Sequence, residues 1–133
     1  MASISTRLSV RSKNLFTNAI GARHDKTFNV ASDADRRLKT IKEASGSPAL
    51  LIDASDYYTD TAITLFAFIK NSTSTSGKNI FIVIGSQVIA RIQPGEYLLL
   101  PWHITSASSD LKVYSNDASL GVKVEYFAAK MTS

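Results

Sequence analysis

Between residues 3 and 11 apolar and polar positions alternate, with Ile4, Thr6, Leu8 and Val10 on one side and Ser5, Arg7, Ser9 and Arg11 on the other. A period of two is a strand signal, so this segment predicts an extended arm with one mainly apolar and one basic face. A second short extended piece is expected at KTFNV, 26–30. In SDADRRLKTIKEASGSP, 32–48, Ser32 is an N-cap candidate, Asp33 and Asp35 suit a first turn, and Leu38 and Ile41 lie three apart before a Gly-Ser-Pro stop. That pattern predicts a short helix, with a polar loop as the alternative.

After Pro48 the texture changes to closely spaced strands. ALLID (49–53) comes first, then TAITLFAFIKN (61–71), in which Ile63, Leu65, Ala67 and Ile69 alternate with Thr64, Phe66, Phe68 and Lys70. Both faces of the latter are largely apolar, as expected of a central strand or one in an interface. KNIFIVI and QVIARI flank Gly85-Ser86, a two-residue hairpin signal. Pro94-Gly95 predicts a corner, EYLLL (96–100) the next strand, and PWHITSASSD (101–110) a connection. LKVYS and SLGVKVEYF then close the chain around NDA. Short strands at intervals of about 8–12 residues, separated by Gly, Pro, Ser and Asn, describe an all-β antiparallel sandwich or barrel. The expected architecture is a β-sandwich, jelly-roll-like body over 48–133, preceded over 1–47 by a basic N-terminal arm and connecting segment, with at most one short helix.

Length and composition agree with one body. The chain has 133 residues, 44% of them hydrophobic and 20% charged. This suits a single core rather than disorder. No cysteine is present, which removes disulfides, thiolate nucleophiles and zinc-thiolate sites. The longest apolar run is far below the roughly 20 residues of a membrane-spanning helix, and no membrane partner is expected. Nine of the 15 basic residues but only four of the 11 acids precede Pro48, so the net charge of +4 belongs to the front third. The first twenty-four residues, rich in Ser and Arg and free of acid, share the composition of a transit peptide; the expectation carried forward is an arm.

Catalytic patterns are missing. His24 and His103 are the only histidines, far from the convergent imidazole and carboxylate ligands of a cupin metal site. There is no Gly-x-Ser-x-Gly elbow and no phosphate-binding glycine loop. Asp53, Asp56 and Asp60 lie in DASDYYTD, which reads as a loop of turn-forming acids. The expectation is therefore neither enzyme nor cofactor. Trp102 beside His103 admits two readings: a ring packed into the sandwich, or an exposed anchor for a partner or a sugar. The interleaved bases of the front segment, with few stacking aromatics, do not favour nucleic acid. An arm adding its strand to a neighbouring subunit accounts for both the apolar and the basic alternation.

The stretches ASISTRLSVRSKNL, TLFAFIKNSTSTSGKNIFIVI, ARIQPGEYLLLPW and VKVEYFAA resemble small structural proteins of tailed bacteriophages, over roughly the last seventy residues and by pattern rather than by any catalytic motif. The resemblance implies a virion component assembled in bacterial cytoplasm, chiefly a capsid decoration or cement protein whose partners are the major capsid protein or other virion proteins. It implies docking through Ile4, Arg7, Leu8, Val10, Arg11, Arg23, Arg36 and Arg37, since a cationic arm suits an acidic shell. Self-association as a trimer or ring would use Phe66, Phe68, Tyr97 and Trp102. Two alternatives accompany it: a tail-fibre adhesion or carbohydrate-binding module with Trp102, Tyr97, Tyr57 and Tyr58 as stacking platforms, and a head–tail joining or tail-tube protein.

Overall fold

The computed structural model describes residues 2–12, 20–30 and 36–131. These residues contain ten strands and one 3-10 turn, Ala54–Asp56. The strands are β1 (Ala2–Ser12), β2 (Ile20–Val30), β3 (Arg37–Ile41), β4 (Ala49–Ile52), β5 (Ile63–Asn71), β6 (Ile80–Ile84), β7 (Gln87–Ile92), β8 (Tyr97–Ile104), β9 (Leu111–Ser115) and β10 (Val122–Lys130). β1 and β2 form a two-stranded antiparallel sheet. The other eight form two four-stranded sheets of order β3-β10-β5-β8 and β4-β9-β6-β7, every neighbouring pair antiparallel. From β3 onward the chain changes sheet at each connection except the β6–β7 hairpin. There Gly85 takes the positive φ of 61° that its tight turn requires.

One core lies between the two sheets. β5 contributes Leu65, Ala67 and Ile69, β10 Val122 and Val124, β6 Ile80 and Ile82, and β9 Leu111 and Val113, all fully buried. The alternation read from the sequence thus places one side of each strand inward. β5 lies between β10 and β8, the central position that its two apolar faces predict. At its end Asn71, fully buried, donates its side-chain amide to the carbonyl oxygens of Lys78 (2.7 Å) and Ile92 (3.1 Å) and accepts from the Thr73 N–H at 3.1 Å. This ties the STSTSG loop to β7. Among the described residues no buried side-chain nitrogen or oxygen lacks a partner.

Three expectations need correction. The helix expected over 32–48 is, where described, strand β3: Ile41 is fully buried, whereas Leu38 is 68% exposed. A helix would have aligned the two, but pairing with β10 gives them opposite faces of a sheet. Ser32, Asp33 and Asp35 lie outside the described residues. β3 falls within the front 47 residues yet belongs to the body's sheet, so the sandwich begins at Arg37. Finally, the connection expected from Pro101 is a continuation of β8 through Ile104. β8 is a sheet edge, the position where a residue without an N–H breaks no ladder.

The expected arm strand is present as β1, and the piece expected at 26–30 is the end of an 11-residue partner, β2. β2 escapes a pattern reading because His24 and Lys26 occupy the register of its apolar side. β10 starts only at Val122, because Gly121 has φ 77° and a Cβ there would lie 2.7 Å from Thr40 Cγ2 and 3.0 Å from the Ile41 carbonyl oxygen.

Candidate interaction surfaces

The outward positions of β5 are Thr64, Phe66, Phe68 and Lys70. Its register sets Phe68 between Phe127 of β10 and Leu99 of β8, Phe66 between Ala129 and Pro101, and Lys70 between Glu125 and Tyr97. The rings meet: Phe68 and Phe127 have centroids 5.3 Å apart, Phe68 and Tyr97 6.1 Å, and Phe66 and Phe127 6.4 Å. Phe66 is buried, Phe68 and Phe127 are half-buried, and Tyr97 is 55% exposed. The near-parallel planes of 19° and 28° show rings stacked on one another along the sheet. Three of the four proposed interface aromatics, Phe66, Phe68 and Tyr97, thus share one outer face. Phe127 joins them, a residue missed although it alternates with the inward valines of β10.

Trp102 does not join them. β8 turns Leu98, Leu100, Trp102 and Ile104 inward, and Trp102, register partner of Leu65, is 5% exposed. The reading of Trp102 as an anchor is therefore overturned, because its strand parity assigns it to the core. Tyr57 and Tyr58 pack against that same core beyond the 3-10 turn, so the four rings of the glycan platform do not meet on one surface. Burial pushes the Tyr57 phenol pKa up, with nearby Arg37 opposing. His103 is exposed, its Nδ1 3.2 Å from the Thr64 hydroxyl.

In the β1–β2 hairpin, Arg7 pairs in register with Asp25, Ser9 with Arg23 and Arg11 with Gly21. Those six positions share one face, since facing residues of an antiparallel pair do so. Arg7 Nε lies 3.0 Å from Asp25 Oδ1 in an exposed ion pair. Ile4, Leu8 and Val10 take the other face, opposite Phe28, His24 and Ala22. The remaining members of the arm set belong to the body: Arg36 lies 3.5 Å from Glu125 of β10, and Arg37 pairs in register with Tyr126.

The acids serve turns. Asp53 caps the 3-10 turn, accepting from the Ser55 N–H (2.9 Å) and hydroxyl (2.6 Å), which hold its carboxyl below the usual range. Asp110 accepts from the Ala54 N–H at 2.8 Å. Asp117, 8% exposed, accepts from the Lys78 ammonium and from the N–H groups of Ser119 and Leu120. Among the described residues no three His, Asp or Glu side chains converge as a metal site would require. A cleft of about 590 Å³ lies against Thr59, Thr61, Thr64 and Lys130. Asn71 opens the only Asn-x-Ser/Thr triplet, but its amide is consumed by the hydrogen bonds above. The chain matches no protein family and no curated protein.

Proposed function

We propose that this chain is a structural component of a virus particle, most specifically a capsid decoration protein that joins the shell through its N-terminal hairpin and associates with its own copies. The strand order supports the reading: β3-β10-β5-β8 against β4-β9-β6-β7, with crossing at every connection but one, is the order expected of a jelly roll's double Greek key, an architecture common in viral capsid domains. Jelly rolls also serve lectins and cupins, so the argument needs the surfaces. Against the lectin-like alternative weighs the place of Trp102 in the core, with Tyr57 and Tyr58 packed against it. The Arg7, Arg11 and Arg23 face of the hairpin and the stacked aromatics on the outer face of the sandwich favour adhesion to protein. A cationic hairpin is attracted to acidic surfaces at long range.

Counting copies in purified particles by quantitative mass spectrometry tests the proposal. Copies in the hundreds are expected of a shell component, about a dozen would mean a neck or tail ring, and absence from particles refutes the reading.

A further inference from the structure

Within the sandwich four strands lie at sheet edges: β3 and β8 in one sheet, β4 and β7 in the other; β1 and β2 are the two edges of their own sheet. An edge strand presents unpaired N–H and C=O groups to any passing strand, and proteins blunt such edges with charge, proline, brevity or bulges. β3 carries Arg37 and Lys39 within five residues. β8 has Pro101 in its middle. β4 has four residues and a register shift, and Lys39 Nζ donates to its Leu50 carbonyl oxygen at 3.1 Å. β7, Gln87-Val88-Ile89-Ala90-Arg91-Ile92, has no proline and one charge. Besides Arg91 its one such device is a bulge, where Ala90 pairs with Ile82 and Val88 with Val83, and Val88 is 54% and Ile89 45% exposed.

We infer that β7 is the edge through which two copies of this chain pair, antiparallel about a two-fold axis, fusing two β4-β9-β6-β7 sheets into one. The sequence of the strand favours a second copy as occupant. With the axis between Ile89 and Ala90, Arg91 faces Val88 of the other copy; with the axis on Ile89, it faces Gln87. Its single charge therefore meets no like charge in the central registers. The same operation on β3 sets Arg37 against Lys39 when centred on Leu38, and Lys39 against itself when centred there, and like charges directly opposed are unfavourable. An isologous pair of this kind closes on itself. The inference rests on the self-association in the proposed function but is independent of the viral setting.

The absence of cysteine from the chain makes single-cysteine cross-linking a clean test. Across antiparallel strands Cα atoms sit about 4.5–5.5 Å apart, within the range a disulfide bridges. Val88→Cys, Ile89→Cys and Ala90→Cys of the full chain, each alone for an axis on a residue and the last two also mixed for an axis between them, are oxidised at micromolar concentration, beside Leu38→Cys (β3), Tyr97→Cys (β8) and exposed Leu120→Cys. Expected is a dimer cross-linked through at least one β7 position and none through the other three, and loss of the dimer in Ile89→Lys, with unchanged thermal unfolding showing that the variant folds. A dimer that persists in Ile89→Lys, or that cross-links through Leu38→Cys or Tyr97→Cys instead, overturns the assignment to β7 while leaving self-association standing. A chain that sediments as a monomer at all concentrations overturns both.

Discussion

Asn71 and Asp117 are two of the three buried polar residues among those described, and each ties separate segments together. Removing the Asn71 amide leaves the Lys78 and Ile92 carbonyl oxygens and the Thr73 N–H without their partner. Each unsatisfied buried group costs about 1–3 kcal/mol. Asn71→Ala is therefore expected to lose on the order of 3 kcal/mol in urea unfolding, whereas Ser72→Ala beside it, whose side chain is exposed, changes stability little. Asp117 has its carboxyl held below the ordinary 3.8 chiefly by the Lys78 ammonium, with the Ser119 and Leu120 N–H groups adding and burial opposing. A lowered folded-state pKa means stability present in full above the unfolded value and lost as pH falls through the folded one. Lys78→Met should accordingly be less stable than the parent at pH 7, with the gap narrowing below about pH 4. Parallel pH profiles of the two unfolding midpoints would contradict this.

Among the elements, β3 gives the sharpest contrast. On a helix Leu38 and Ile41 share an apolar stripe, and truncating either would be similarly harmful. On an edge strand only Ile41 enters the core. Ile41→Ala is expected to destabilise by about 2–5 kcal/mol and Leu38→Ala by less than about 0.5, measured by chemical denaturation. The strands of the body were legible from alternation and turn chemistry, notably β5, β6, β7 and β9, because one buried face imposes period two. β3 and the far end of β8 were not, because pairing partners overrode local signals: Ile41 is rewarded by burial against β10's side of the core, and Pro101 is tolerated where no ladder needs its N–H.

For the whole molecule, the described core is built from β3 to β10 and the segments joining them. On the proposed function, deleting residues 1–30 should abolish incorporation into particles while the sandwich still unfolds cooperatively on heating. Unchanged incorporation of the truncated chain would exclude the hairpin as the docking element. A two-stranded sheet is marginally stable by itself in water, so the hairpin's apolar register positions, Ile4, Leu8, Val10 and Phe28, give it reason to settle on another surface. The candidate surfaces were half visible beforehand. Phe66, Phe68 and Tyr97 were marked by their place on strands, and Trp102 was left between two readings that composition could not separate.

Alternation, turn residues and charge placement were enough to determine an all-β body with a basic leading strand, because period two and glycine or proline punctuation are local consequences of backbone geometry. Which strands became neighbours was decided only by folding, since pairing joins residues far apart in the chain. That pairing stacked Phe68 between Phe127 and Tyr97, turned Trp102 to the core, and left β7 at a sheet edge with Val88 and Ile89 exposed.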